Sequence, residues 1–260
     1  MMKNIPEFDY RLNRDKEPIL TANKIEEHAI EFLQEYQKTN SSFSIYDPQP
    51  TPIEDIIENY CGITIDYKTF SDKDILGATA FSKGIIQVIE NGEKTVFLVD
   101  KGTIIISNEL AEDSSQEGRL LYTFAHELGH CVYHRKLYEE PDNSNQPSLF
   151  SDEISNKNII SCHREFFEIE NNKNWIEWQA DYFASCILMP KESVHEFWKP
   201  YILEPEKFEL TSELRPKLSD IDSRECEFLI YEFIKKYKVS KKAAVIRLKK
   251  LNYLERRFSL

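Results

Sequence analysis

Two histidines four residues apart, with a glutamate between them, are the residues in this sequence best suited to metal chemistry. His126 and His130 enclose Glu127 in the motif His-Glu-Leu-Gly-His. In a helix, side chains four positions apart lie on one face, so both imidazoles can bind the same ion. Glu127 is expected to reach a water molecule beside that ion rather than the ion itself. The spacing predicts a zinc site with His126 and His130 as ligands and Glu127 as catalytic base.

A catalytic zinc site needs a third protein ligand and an open fourth position. The metzincin extension of the motif is absent, because positions 133 and 136 are tyrosine and lysine. Glu177 offers a carboxylate on a second helix, and Asp181, one turn later, can accept a hydrogen bond from a ligand histidine. The sequence therefore predicts a gluzincin-type site with Glu177 as the third ligand and Asp181 as the hydrogen-bond acceptor of a ligand histidine. The alternative is that both acids only cap their helix, whose dipole favours them there.

Several residues near these motifs are candidates for further roles in the same site. Gly129, inside a helix, predicts close approach by another backbone or by substrate, and the alternative is tight packing between helices. His134 follows His130 by one turn, but three histidines spaced by four span about 12 Å and cannot share one ion. We expect His134 to be structural or to lie at the rim. The candidates for stabilising the reaction's oxyanion are His163, His195, Tyr133 and Tyr182.

Local patterns predict a sheet before the helix that carries the motif. Five short segments rich in β-branched or aromatic residues follow one another, and Asn91-Gly92 between two of them is a hairpin signal. They predict a small, largely antiparallel sheet with an exposed edge, along which an extended substrate could pair. The segments are 63–67, 78–82, 85–89, 96–99 and 103–106.

Helices are expected before and after these strands in the sequence. After Thr21, apolar residues recur at helical spacing and predict a first helix. Thr51 is expected to cap a second helix. The motif helix is predicted from Ser114 to about Leu137, and Asn174 is expected to cap the helix that carries Glu177. The polar segment between them, 139–174, is predicted to be a long loop or insertion with a short helix around 162–169.

The last part of the sequence, 225–251, predicts two helices that resemble a helix-turn-helix. From 231 to 260 there are ten Lys or Arg residues against two acids, a local charge of +8. A basic second helix could read DNA. The alternative, which we favour, is a helical pair that closes the core, because the whole chain carries a net charge of −12 and phosphate attraction dominates DNA binding.

Composition limits the cellular setting and the class of protein. The 260 residues suffice for one sizeable core. No apolar run reaches the ~18–20 residues of a membrane span, and the first 15 residues lack a signal-peptide pattern, so a cytoplasmic location is expected. Five cysteines without a Cys-x-x-Cys pair make a disulfide framework or a zinc ribbon unlikely.

Longer stretches around these motifs resemble the ImmA/IrrE-type metallopeptidase family. The similar segments are 103–107, 124–130 followed by His134, 177–190 and 237–248, and the resemblance extends roughly over residues 20–250. It implies a cytosolic zinc peptidase, often one that cleaves a helix-turn-helix repressor.

Taken together, these features predict an α+β fold of zincin-like, gluzincin type. A small sheet packs on the motif helix, and further helices follow it. We expect a peptidase core at 1–190 and a C-terminal helical region at 191–260. The predicted function is zinc-dependent hydrolysis of a peptide bond in a protein partner, a helix-turn-helix repressor. The alternative is a catalytically silent zinc module that binds a transcription factor.

Overall fold

The computed structural model describes residues 3–138, 159–163, 174–202 and 223–254. The helices in this part of the chain are α1 (Ala22–Thr39), α2 (Ile53–Asp55, continued by a π-helical turn at Ile56–Tyr60), α3 (Asn108–Glu112), α4 (Glu117–Tyr133), α5 (Arg135–Tyr138), α6 (Trp175–Leu188), α7 (Lys191–Ile202), α8 (Ser223–Tyr237) and α9 (Lys241–Lys250). The strands are β1 (Arg11–Leu12), β2 (Pro18–Ile19), β3 (Thr64–Lys68), β4 (Ile75–Ala80), β5 (Gly84–Glu90), β6 (Glu93–Val99), β7 (Thr103–Ser107) and β8 (Ile159–His163). The predicted α+β class is confirmed.

The five segments predicted to form one sheet belong to two sheets, and β1 and β2 pair separately as a third. β5 and β6 form a separate hairpin, whose turn residues Asn91 and Gly92 have φ of +53° and +84°. Both values suit the turn that the Asn-Gly pair predicts. A mixed sheet of order β3-β7-β4-β8 contains the remaining predicted strands, and in it β3 and β7 are parallel and the other two pairs antiparallel. The prediction of a largely antiparallel arrangement is therefore correct, but that of a single sheet is wrong.

The predicted exposed edge beside the motif helix is covered. β8 comes from the 139–174 segment and pairs antiparallel with β4, with Ala78 opposite Ser161 and Gly77 opposite Cys162. The helix predicted around 162–169 is therefore wrong for Cys162 and His163, and the rest of that range lies outside the described residues. Ile160 and Cys162, two positions apart on one face of the strand, are both buried. That face of β8 therefore points into the interior of the protein.

The four-stranded sheet separates two apolar clusters because its side chains alternate between two faces. Ala78, Ala80 and Ile105 point to the β5–β6 hairpin and form the smaller cluster with it. Ile104 and Ile106 belong to the larger cluster, which also contains the buried faces of the main helices. The motif helix α4 packs against β4, β7 and β8 and against α6. It therefore lies between the sheet and the other helices.

The N-terminal helix begins as predicted, whereas the second does not. Thr21 caps α1 by accepting a hydrogen bond from the Lys24 amide at 3.3 Å. Thr51 makes no cap bond, because its hydroxyl donates instead to the carbonyl of Ile187 at 2.8 Å. This bond satisfies one of the last carbonyls of α6, which has no partner within its own helix.

The terminal helices pack on the core. Tyr237, Val239 and Leu248 are buried in the larger cluster. A Cβ atom at Gly118, at the start of α4, would lie 2.6 Å from the backbone nitrogen of Ser240. The turn between α8 and α9 thus lies directly against the motif helix. The larger cluster contains side chains from both 1–190 and 191–260, and the boundary between these regions stays a prediction.

A buried ion pair joins the first and last described helices. Arg247 of α9, fully buried, forms a bidentate pair with Glu26 of α1, in which Nη1 lies 2.8 Å from Oε2. Its Nε donates to the carbonyl of Met189, the residue that ends α6, at 2.9 Å. Burial alone would raise the pKa of Glu26, but the hydrogen bonds and charge of Arg247 outweigh it and lower the pKa. One guanidinium therefore fixes three helices together.

Two observations bear on the cellular setting. Among the described residues, no helix combines the length and apolar character needed to cross a membrane. All five cysteines lie in described segments, and each is buried as a free thiol.

Replacing one partner of the buried pair should cost more stability than replacing both. Arg247→Met or Glu26→Leu alone leaves an uncompensated buried charge, which typically costs about 3–5 kcal/mol, whereas the double variant leaves none. Chemical denaturation of the two single variants, the double variant and the wild type measures this. If the two single effects simply add in the double variant, the pair does not act as described. The stabilisation should also decline as the pH falls below about 4.3, because the Glu26 pKa is lowered in the folded state.

Candidate metal site

The motif helix is buried over its entire second half. Residues 123–133 of α4 are all buried, and His126, Glu127 and His130 have no exposed surface. A helix that is apolar all round belongs in a core. Three polar side chains in such a setting need partners, because burying an unpaired polar group is costly.

Close packing of α6 on α4 brings the third predicted ligand to the two histidines. A Cβ atom at Gly129 would lie 3.0 Å from the Cα of Ala180, so the absence of a side chain lets the helices approach. The prediction of a close backbone approach at Gly129 is confirmed. Asn174 caps α6 as predicted, by accepting a hydrogen bond from the Glu177 amide at 3.3 Å. Glu177 is thereby held in the first turn, near the positive end of the helix dipole.

His126, His130 and Glu177 converge on one point. The two Nε2 atoms are 2.9 Å apart, and the Glu177 oxygens lie 3.2 Å from His126 Nε2 and 3.6 Å from His130 Nε2. In a tetrahedral site with zinc–ligand bonds of ~2.0–2.1 Å, ligand atoms are roughly 3.3 Å apart. These three side chains form a group that could hold a metal ion.

Asp181 orients the first of the histidines. Its Oδ1 lies 2.8 Å from His126 Nδ1, which makes that nitrogen the donor, since an ionised carboxylate only accepts. The lone pair of a neutral His126 is then on Nε2, which faces His130 and Glu177. This is the position that the sequence predicts for Asp181, although its effect on metal binding remains to be measured.

A chain of three hydrogen bonds orients the second histidine. The Pro18 carbonyl accepts from Gln179 Nε2 at 2.6 Å, so Gln179 Oε1 faces His134 Nε2, 3.0 Å away, as an acceptor. A neutral His134 then donates from Nε2 and accepts at Nδ1, which lies 2.9 Å from His130 Nδ1. Burial lowers the pKa of His134 well below its ordinary value and so favours this neutral form. His130 Nδ1 is thus the donor, and its lone pair is on Nε2.

The inward-facing atoms fit a cation. Two lone pairs 2.9 Å apart repel each other unless a positive charge lies between them. Glu177 Oε2 is also buried and accepts no hydrogen bond from the described residues, although it is 3.2 Å from His126 Nε2. Burial would raise the pKa of Glu177, but the imidazoles of His130 and His126, when protonated, lower it further than burial raises it. Two imidazoles and a carboxylate are a donor set that zinc accepts.

Glu127 lies beside this group, with one oxygen held and the other without a partner. Thr79 of β4 donates its hydroxyl to Oε2 at 2.6 Å. Oε1 is buried and accepts no hydrogen bond in the described part of the chain. A Cβ atom at Gly77 would lie 2.9 Å from Oε1, so this glycine makes room for the carboxylate. Burial raises the pKa of Glu127, although the histidines and Thr79 act in the opposite direction.

Residues 87–249 match the model of the Peptidase_M78 family, described as an IrrE N-terminal-like domain. The match covers more than half of the chain. The chain belongs to this family. No curated protein shows significant sequence similarity to it.

Membership of the Peptidase_M78 family confirms the resemblance to ImmA/IrrE-type proteins. It indicates a metallopeptidase-type hydrolase, and the buried His126, His130 and Glu177 group indicates a metal ion. The matched range includes both α4 and α6, which carry these side chains.

The candidates for oxyanion stabilisation in this Peptidase_M78 chain are mostly engaged elsewhere. The Tyr133 hydroxyl lies 3.3 Å from His28 Nδ1, and His195 Nδ1 lies 3.2 Å from the Tyr253 hydroxyl. Burial raises the pKa of the Tyr182 phenol to about 12, although the charge of the nearby Arg247 guanidinium acts to lower it. His163 is on β8 beside the site, but its side chain lies outside the described part of the chain.

Sequence reasoning gave no role in the site to Thr79, Gly77 or Gln179. Thr79 and Gly77 come from a strand 47 or more positions before Glu127, and their types carry no signal for this contact. His134 was predicted to be structural or at the rim; it is fully buried, so the rim is excluded. Gln179 lies two positions after Glu177, and only the fold shows that it meets His134.

The two outer hydrogen-bond partners should support metal binding separately. Asp181→Ala removes the acceptor for His126, and Gln179→Leu removes the acceptor for His134. Loss of such a partner typically weakens metal affinity by about 10–100-fold. Zinc titration against a competing chelator measures the effect, with Gln34→Leu, an exposed glutamine of α1, as control.

Complete loss of binding in Asp181→Ala would instead make Asp181 a ligand. Unchanged affinity in Gln179→Leu would show that the chain from Pro18 to His130 does not orient the ligand.

Proposed function

We propose that this chain is a zinc-dependent endopeptidase of the gluzincin type. The observation that carries the proposal is the convergence of His126, His130 and Glu177 beside a buried Glu127 with one free oxygen. A site that only holds a metal for structure has no use for a neighbouring general base. The HEXXH motif and the family agree with this reading.

Each residue of the site has its own role in peptide hydrolysis. His126, His130 and Glu177 would hold the zinc ion, which when bound supplies Lewis-acid chemistry and lowers the pKa of a water molecule. Glu127 accepts a proton from the attacking water at Oε1 and then donates it to the leaving amine. Thr79 keeps the carboxylate in place through Oε2, so that the proton-accepting oxygen has a fixed direction. The raised pKa of Glu127 brings it closer to the working pH, where a general base is most effective.

Tyr138 is a further candidate for stabilising the oxyanion. It ends α5, and its ring stacks on Phe81 with centroids 5.5 Å apart. Burial and then the charge of Glu177 raise the pKa of its phenol, so the hydroxyl keeps its proton at neutral pH. A neutral phenol can donate a hydrogen bond to a developing negative charge.

The proposed substrate is a small helix-turn-helix repressor in the cytoplasm. Five free buried thiols agree with a reducing compartment. The net charge of −12 favours encounter with a protein that carries a basic DNA-binding surface. The same charge opposes direct DNA binding by this chain, and the turn of its own terminal helix pair is packed on α4.

The second candidate function is a catalytically silent zinc module that binds a transcription factor. One observation favours it: β8 covers the sheet edge beside the site, and the thiol of Cys162 lies next to His126 and Glu127. A site closed by a fourth protein ligand is typical of structural zinc. The experiments below separate the two functions.

The purified protein should contain about one zinc ion per chain. His126→Ala should lose it, because two remaining ligands do not retain zinc. Elemental analysis of both proteins after dialysis measures the content, with His195→Ala, whose imidazole faces Tyr253, as control. Equal zinc in wild type and His126→Ala would exclude the assigned ligands.

Glu127→Gln should keep zinc and the fold but lose peptide hydrolysis by about 10²–10⁴-fold. The amide has the same shape, but it cannot accept the proton. Cleavage of a proteome-derived peptide library, followed by mass spectrometry, measures the rate, and the zinc content checks the site. An unchanged rate would place the base elsewhere.

Co-expression with a helix-turn-helix repressor encoded beside this chain's gene tests the substrate. Discrete repressor fragments that disappear with Glu127→Gln are expected, and immunoblotting with mass spectrometry detects them. An intact repressor that is bound and inactivated would favour the silent module.

A further inference from the structure

The outer edge of β6 carries backbone groups that no other described strand binds. On the neighbouring strand β5, the Ile89 amide donates to the carbonyl of Thr69 at 2.7 Å, so Ile89 directs its backbone groups away from β6. Lys94 lies opposite Ile89, and opposite residues of an antiparallel pair either bond each other or both point outward. Lys94 therefore points outward, and so do Val96 and Leu98 at the following alternate positions. In the part of the chain that the structure describes, β6 pairs only with β5.

The side chains at this edge are apolar and face solvent. Val96 and Leu98 are 63% and 66% exposed, which makes them the most exposed large hydrophobic residues in the described segments. An edge strand that combines open backbone groups with exposed apolar side chains is a site at which another strand can pair. This edge of β6 therefore indicates a partner strand.

The sequence of β6 is complementary to a second copy of itself. Val96 and Leu98 lie next to Phe97, and Lys94 and Asp100 lie three positions to either side of it. If two copies pair antiparallel about Phe97, Val96 lies opposite the partner's Leu98, and Lys94 lies opposite the partner's Asp100. This register matches apolar with apolar side chains and opposite charges with each other. Centring the pair on Val96 or Leu98 instead would place a charge opposite an apolar side chain.

We propose that two copies of this chain associate through β6, as an antiparallel pair whose two-fold axis passes at Phe97. The pairing joins the two β5–β6 hairpins into one continuous sheet. Val96 and Leu98 exchange backbone hydrogen bonds across the axis, whereas Phe97 keeps its bonds to β5. A two-fold dimer uses the same surface on both copies, so a strand that is complementary to itself suits it. Strand addition to a sheet edge is a recurring mode of protein association.

Asp100 is available for this contact. Within its own chain it lies 3.6 Å from the Lys83 ammonium, and both side chains are largely exposed. Such exposed pairs contribute little to stability, so Asp100 can also face a partner.

The pairing surface lies away from the candidate metal site. The hairpin packs with Ala78 and Ala80 on one face of the four-stranded sheet. Gly77 and Thr79 alternate with them on β4 and face Glu127 of α4 on the other side. Association through β6 therefore does not involve the metal group, and it can be tested independently of the proposed function.

Sedimentation velocity over a series of protein concentrations measures the association. The wild type should form dimers, whereas Val96→Pro should be monomeric, because proline removes the outward N–H without touching the bonds to β5. Val96→Ile keeps the N–H and the apolar side chain, and it should dimerise like the wild type. A wild type that stays monomeric up to about 1 mM, or a Val96→Pro variant that still dimerises, would overturn the proposal. Circular dichroism and thermal unfolding check that each variant folds.

Charge reversal tests the register without a proline. Lys94→Glu leaves acids at both positions 94 and 100, and Asp100→Lys leaves lysines at both. Each variant alone should dimerise about tenfold more weakly than the wild type, because like charges then lie opposite each other at both ends of the pair. An equal mixture of the two variants should regain the affinity of the wild type, since acids of one chain then face lysines of the other. If neither variant is weakened, or if the mixture stays as weak as its components, the two-fold β6 pair is wrong.

Discussion

The backbones of α4 and α6 come into van der Waals contact at Gly129 and Ala180, and the candidate metal site depends on this approach. One helix contributes two imidazoles and the other one carboxylate, and no single helix could place all three atoms around one point. Any side chain at position 129 would push the helices apart, since a Cβ atom there already lies 3.0 Å from the Ala180 Cα. The cost of a glycine within a helix, about 1 kcal/mol, is small beside this geometric requirement.

The approach of the two helices buries polar groups that must then be satisfied. Asp181 does this for His126, and the chain through His134 and Gln179 to the Pro18 carbonyl does it for His130. The Nδ1 atoms of both histidines donate outward to these partners. Their Nε2 atoms, which face the centre of the site, therefore carry lone pairs. The inner nitrogens therefore repel each other unless a bound cation or a proton lies between them.

Local motifs predicted the centre of this site, but not its surroundings. His126, Glu127 and His130 are close in sequence, and the period of one helix relates them. Asn174 and Glu177 follow equally local rules of helix capping. Thr79, Gly77 and Cys162 reach the site only through strand pairing, and a register shift of one residue would turn each of them to the other face. β8 was missed for a different reason: five residues in a polar segment give too little periodicity to separate strand from helix.

The buried pair of Arg247 and Glu26 has a consequence for how the protein is made. Its partners are 221 residues apart, and the same guanidinium binds the carbonyl that ends α6. During synthesis, α1, the sheet, α4 and α6 all emerge from the ribosome before α9 exists. Until then Glu26 has no counter-charge and the end of α6 is not held. A nascent chain therefore cannot complete its core until α9 has emerged, so the contact that joins α1, α6 and α9 forms late in synthesis.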